Sequence, residues 1–181
     1  MSKSTVALSN DEFFSAAYEE LRRIARSRFG AQGGLTWNPT AIVNEVYVRL
    51  AESKRFQPAS PEHLKHTVIR AMRYILVEAA RRKNAERRGG GKAPVQRVPF
   101  DESAAQSAAF DPNEILSVDF ALDELSRHSE FQARVFEYQF FGGLQVVEIA
   151  GMLGISEKKV QRSLRLARAF LTVALTGGKI E

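Results

Sequence analysis

The chain predicts an all-α fold of two small helical domains, because apolar residues recur every three or four positions through most of it. No alternating strand pattern of useful length, internal repeat or coiled-coil heptad competes with that spacing. Glycine and proline clusters divide the helical stretches at GAQGG (30–34), FQPASP (56–61) and GGG (89–91).

A first helix is expected from about Asp11 to Phe29, with Phe14, Ala17, Leu21, Ile24 and Ala25 as its apolar stripe. WNPTAI announces the second: Asn38 can cap it, Pro39 suits its first position, and Trp37 can staple onto Ile42. That helix continues through Val43, Val46, Tyr47 and Leu50. Ser60 then caps a long third helix through Leu64, Val68, Ala71, Met72, Ile75 and Ala79, which Gly89, Gly90 and Gly91 stop. The three make a first domain over residues 11–88, behind a flexible tail of residues 1–10.

Residues 89–112 show no sustained period and read as a flexible linker. A second domain follows over residues 113–175, with a tail at 176–181. Ile115, Val118, Leu122 and Leu125 share one helix, and Ala133 to Phe141 lie on another. Its end, VVEIAGMLGISEKKVQRSLR (146–165), has the spacing of a helix-turn-helix. Ile149 and Leu153 face inward on the first helix, and Ala150 is small enough for close approach. Gly154 makes a turn that calls for the left-handed conformation, and Ser156 caps the next helix. Val160, Leu164, Ala167 and Leu171 face inward, while Lys158, Lys159, Gln161, Arg162, Arg165 and Arg168 fall largely outside. Residues 157–168 carry a local charge of +4, which makes DNA the expected ligand and the major groove the expected seat.

Composition narrows the alternatives. The 181 residues are 44% hydrophobic, enough for a packed core in each domain. No cysteine is present, which removes disulfides, thiolate metal sites and cysteine nucleophiles and fits a reducing cytoplasm. No apolar run approaches the eighteen or so residues that span a bilayer, and MSKSTVALSN lacks a signal-peptide hydrophobic region. A cytoplasmic protein without membrane attachment is therefore expected. The net charge of +5 hides a segregation of sign: residues 81–92 alone account for +5, whereas residues 100–133 hold eight acids against Arg127. Such blocks suggest a polyanion-binding surface and a separate acidic segment.

No enzyme chemistry emerges. His63 and His66 share a helical face beside Glu62 but lack an obvious third metal ligand, and GGGK (89–92) has neither a preceding strand nor a following Ser or Thr. No nucleophile, base and orienting acid come together, so no catalytic residue, metal or cofactor is expected. A stand-alone helix-turn-helix regulator is the serious alternative, since the last forty or so residues would serve it equally well. The first domain argues against it, offering a basic helix and no clear dimer seam.

A three-helix unit ending in a basic helix, a linker and a helix-turn-helix unit together resemble the extracytoplasmic-function (ECF) class of bacterial sigma factors. The resemblance runs from about residue 11 to 175 and is most specific in IVNEVYVRLAESKRF and VVEIAGMLGISEKKVQRSLRLARAFL. It implies binding to core RNA polymerase and promoter DNA, with an anti-sigma protein as a further candidate partner. By the same resemblance Asn44, Glu45, Val48, Arg49 and Leu50 fall at the polymerase contact, though periodicity alone would leave Asn44, Glu45 and Arg49 simply solvated. The minus-ten element would meet Phe56, Gln57, Ser60 and His63 around the loop before the third helix, and Arg70, Arg73, Tyr74, Arg81 and Arg82 along it. The upstream element would meet Ser156, Lys158, Lys159, Gln161, Arg162 and Arg165, with Arg168 nearer phosphate. One departure stands out: typical members carry several acidic residues where this chain reads WNPTAIVNE, in which only Glu45 remains. That deficit resembles a subgroup linked to serine/threonine protein kinases, and Thr40 occupies the place where a phosphate would restore negative charge. Residue type alone favours a capping role for Thr40, and it is the missing acids that raise the phosphate reading beside it.

Overall fold

A computed structural model describes residues 10–29, 39–52, 59–87 and 111–176. These form seven helices and no strand among the described residues: α1 (Asn10–Phe29), α2 (Pro39–Glu52), α3 (Pro61–Arg87), α4 (Pro112–His128), α5 (Glu130–Phe140), α6 (Val146–Leu153) and α7 (Glu157–Thr176). The chain is all-α, as its periodicity predicts. The two tails, Trp37, Asn38, Phe56, Gln57, the glycine run and the linker up to residue 110 lie outside the described residues. So do the side chains of Phe14 and Thr40.

The predicted stripes become the core. Ala17, Leu21, Ile24 and Ala25 of α1 are buried, as are Ile42, Val43, Val46 and Leu50 of α2 and Leu64, Val68, Met72 and Ile75 of α3. Ser60 caps α3 as expected: its Oγ accepts from the His63 amide at 3.1 Å and its carbonyl from the Leu64 amide at 2.9 Å. At 27 residues, α3 is the longest of the described helices, on the order of 40 Å from end to end. It packs against α1 and α2 and also against α4 and α5, and so is shared by the helices before and after it.

Local caps set the second group. Asp111 accepts from the Asn113 amide at 2.7 Å, and Pro112 takes the first position of α4. Ser129 alone separates α4 from α5: its own amide closes the end of α4 on the Leu125 carbonyl, and its hydroxyl caps α5 by accepting from Gln132. For that reason α5 begins at Glu130, ahead of the apolar positions that mark it in the sequence. Phe136 and Phe140 stack within α5, with Phe141 edge-on to Phe140 at 4.9 Å. Helices α4, α5 and α6 all pack on α7.

Two glycines next to α6 differ in what surrounds them. A Cβ on Gly142 would lie 2.5 Å from the Tyr138 carbonyl oxygen and 2.8 Å from Ile69 Cδ1, so this turn sits on α3 only because a side chain is absent. Gly151, within α6, is exposed and has nothing within 4 Å of where its Cβ would be. Gly142→Ala should therefore destabilise the chain by about 1–3 kcal/mol through forced repacking against α3. Gly151→Ala should stabilise it by up to about 1 kcal/mol through helix propensity. Urea unfolding of both variants checks the sign of each change, and equal midpoints would show that α3 does not abut Gly142.

Candidate nucleic-acid interface

Two basic surfaces are built differently, and the first lies on α7. Helix α6 ends in paired bonds from the Gly154 amide to the Gly151 carbonyl (3.3 Å) and from the Ile155 amide to the Ala150 carbonyl (3.0 Å). Gly154 closes that motif at φ +63°, where a Cβ would be strained. Glu148 supports the other end of α6 by accepting from the Gln145 amide at 2.8 Å. Ser156 then caps α7, its hydroxyl accepting from the Lys159 amide at 3.3 Å.

With the turn set, α7 buries Val160, Leu164, Ala167 and Leu171 and exposes Lys158, Lys159, Gln161, Arg162 and Arg165. A shallow depression of about 510 Å³ is lined by Lys158, Lys159, Arg162, Arg165 and Leu166. Among the described residues no acid lines it, and its cations are exposed. The Lys159 ammonium lies 5.1 Å from the Phe131 ring centroid, which anchors its stem to α5. Arg168 turns aside: half-buried, it donates to Gln139 Oε1 at 2.8 Å.

The second surface lies along α3. Ser60 and His63 are occupied within its first turn, where His63 Nδ1 accepts from the Ala59 amide at 3.0 Å. Arg70 and Arg82 are exposed, and Tyr74 is 61% exposed with the Arg49 guanidinium 5.3 Å from its ring centroid. Arg49 also pairs with Glu45 (3.0 Å) and Glu78 (2.9 Å), linking α2 to α3. Asn44, Glu45 and Val48 share the outer face of α2 with Arg49. Leu50, in contrast, is only 6% exposed and belongs to the core of the three-helix unit.

Arg73 is placed unlike its neighbours. Its Nε donates to Asp119 Oδ1 at 2.8 Å, its Nη2 to Asp123 Oδ1 at 2.7 Å, and its Nη1 lies 3.5 Å from Glu137 Oε1. Side-chain exposure is 20% for Arg73, 15% for Asp119 and 10% for Glu137, against 65% for Asp123. Shielding from water makes Asp119 the strong partner, whereas the exposed Asp123 contact is worth at most about 1 kcal/mol. Burial opposes the charge on Arg73, but Asp119 and Glu137 more than offset it and hold its pKa above the ordinary arginine value. Burial pushes the Glu137 carboxyl up, and Arg73 and Arg70 only partly counter it. The cluster thus favours the cation more than it favours this acid, in keeping with the longer Glu137 contact. Arg81 approaches the other Asp119 oxygen at 3.7 Å.

These acids lie 46 to 64 positions from Arg73, beyond the reach of helical periodicity. A signal was present in Asp119 and Asp123, which lie four apart within the acidic block and so on one helical face. Among the described residues no cluster of His, Cys, Asp or Glu could hold a metal ion, and no helix is long and apolar enough to cross a membrane.

Beside the cluster, Tyr138 Oη and His66 Nδ1 are hydrogen-bonded at 2.9 Å. Burial lowers the His66 pKa, Arg70, Arg134 and His63 lower it further, and Glu130 opposes them. The neutral ring therefore contributes stability that is present above the ordinary imidazole value of about 6.5 and lost as pH falls through the lower folded value. Thermal melts from pH 7.5 to 5.5 should show a steeper loss of Tm in the native chain than in His66→Asn. Parallel curves would mean that the ring is not held neutral.

The family model for ECF sigma factors matches residues 3–177. No curated protein and no solved structure matches the chain. The matched span takes in the helices of both groups, with the cations of α3 and those of α7 alike, and by that match the chain belongs to the ECF sigma factor family.

Proposed function

We propose that this sigma factor reads the upstream promoter element with the outer face of α7 and the minus-ten element with α3, and grips core RNA polymerase with the outer face of α2. As an ECF sigma factor it acts in transcription, binding core polymerase and promoter DNA. The division of labour among its helices is supported above all by α7. Four cations and one amide side chain, Lys158, Lys159, Arg162, Arg165 and Gln161, project from one face while the opposite face is buried. A major groove admits a helix of this kind, and arginine or lysine can pair with the two acceptors of guanine. The family match also covers α1 to α3, which speaks against a stand-alone regulator that would need only the last helices.

The proposed switch is phosphorylation of Thr40 by a serine/threonine kinase. Thr40 lies in the first turn of α2, and that turn contains no acidic residue. A phosphate there adds about −1.5 to −2 charge, which a helix N-terminus favours and a basic patch on a partner can receive. Asn44, Glu45, Val48 and Arg49 supply the adjoining surface, and an anti-sigma protein is a further candidate partner for it.

Alanine at Arg162 or Arg165 should cost about 1–3 kcal/mol of promoter binding and relax the preference at one upstream base if that side chain reads guanine. A uniform loss across sequences would assign it to phosphate, and unchanged affinity and salt dependence would remove α7 from the interface. For the switch, transcription with purified core polymerase should be weak with the unmodified chain. It should stay weak in Thr40→Ala with kinase present and recover partly in Thr40→Asp, whose carboxylate carries less charge than phosphate. Full activity of unphosphorylated chain and Thr40→Ala would exclude the switch and leave the sigma-factor function standing.

A further inference from the structure

Among the described residues, Leu166 is the one apolar side chain that lines the α7 depression, beside Lys158, Lys159, Arg162 and Arg165. It stands outside the buried stripe of Val160, Leu164, Ala167 and Leu171 and is 46% exposed. We propose that Leu166 is a specificity-determining residue, reading the C5 methyl group of a thymine in the upstream promoter element. The proposal rests on the assignment of α7 to that element made above.

Helical spacing sets Leu166 one turn after Arg162 and two turns after Lys159, so the surface that carries those cations carries the leucine too. A polyanion drawn in by the cations therefore meets it. Leucine cannot pair with phosphate, and pressed against the sugar–phosphate backbone it would strip water from polar groups without replacing their hydrogen bonds. The base edges of the major groove offer it one match: thymine presents a methyl group there, whereas adenine, guanine and cytosine present donors and acceptors. Charge brings the helix to DNA of any sequence. An apolar contact inside that charged field adds a discrimination of thymine that lysine and arginine, drawn to acceptors, do not provide. Exposed leucines are common on protein surfaces, so its place among the cations, and not its exposure, sets Leu166 apart. Val147 and Val173 are also exposed, at 60% and 37%, but neither lines the depression.

The test uses the full chain assembled with core polymerase and a duplex library randomised across the upstream element. Selection should give at least one position at which thymine is favoured by the native complex and not by Leu166→Ala. On the selected promoter, deoxyuridine in place of that thymine deletes the methyl group and nothing else. It should weaken binding by the native complex about three- to fivefold, the factor expected for burying one such group. Leu166→Ala should lose at least as much on the thymine duplex and be insensitive to the deoxyuridine, so that the two changes are not additive. Leu166→Met, which keeps an apolar side chain, should retain most of the methyl effect, and Val173→Ala all of it. Because Leu166 is exposed and alanine favours a helix, circular dichroism should show the substituted chain folded. Equal sensitivity to the methyl group in native and Leu166→Ala complexes would overturn the proposal, as would a selection without any thymine preference. Weaker binding of Leu166→Ala to core polymerase, with base preference unchanged, would also overturn it by assigning the leucine to a protein partner. If Arg162→Ala and Arg165→Ala then leave promoter affinity and its salt dependence unchanged as well, the fault lies in the placement of α7. If those changes weaken binding while the methyl effect stays uncoupled from Leu166, the fault lies in the leucine alone.

Discussion

A single guanidinium, that of Arg73, ties α3, which two groups of helices share, to both α4 and α5. The inward positions of α3 are otherwise mostly apolar, with Leu64, Val68, Ile69, Met72 and Leu76 all buried. A cation among them is tolerable only if its charge is met, because an unpaired buried charge costs several kcal/mol. Asp119 and Glu137 meet it from α4 and α5, and Arg73 lies 5.9 Å from the Phe141 ring centroid. Packing alone would leave the angle between α3 and α4 weakly specified. The ion cluster, with Ile69 seated against the bare Cα of Gly142, favours one arrangement.

The two basic surfaces therefore behave differently towards an approaching polyanion. Cations on α7 have no acid among the described residues lining their depression, and their field is screened by salt over about 8–10 Å. Those on α3 are divided: Arg70 and Arg82 are open, while Arg73 is covered and Arg81 lies beside Asp119. On the proposed assignment of α7 and α3 to DNA, an early encounter is steered by α7, whose cations are the more open.

Helix content was legible because it is local. Of the predicted stripes Leu21, Val46, Met72, Leu122 and Leu164 are buried, with Tyr47, Ala71 and Ala79 half-buried at their edges, and Ser60, Gly154 and Ser156 perform the capping and turning roles that their positions announce. The outer face of α7 follows from the same periodicity, since burying Val160 and Leu164 leaves Arg162 and Arg165 outward. The partners of charged residues were not legible. Arg73 reads in the sequence like Arg70 and Arg82, a cation on a basic helix, and only the packing of α4 separates them. Arg168 is another such case, drawn to Gln139 by the approach of α5 to α7. The acidic block was visible as a block, but its meeting with α3 is tertiary. Thr40 is legible only as far as its place in the first turn of α2.

The most direct test of this account is a double-mutant cycle between Arg73 and Asp119, using Arg73→Gln, Asp119→Asn and the pair in urea unfolding. If the cluster fixes α3 against α4, each single change destabilises the chain and the two are coupled by about 1–3 kcal/mol. A coupling near zero, with the single effects simply additive, would contradict the account and mean that apolar packing alone holds the two halves together.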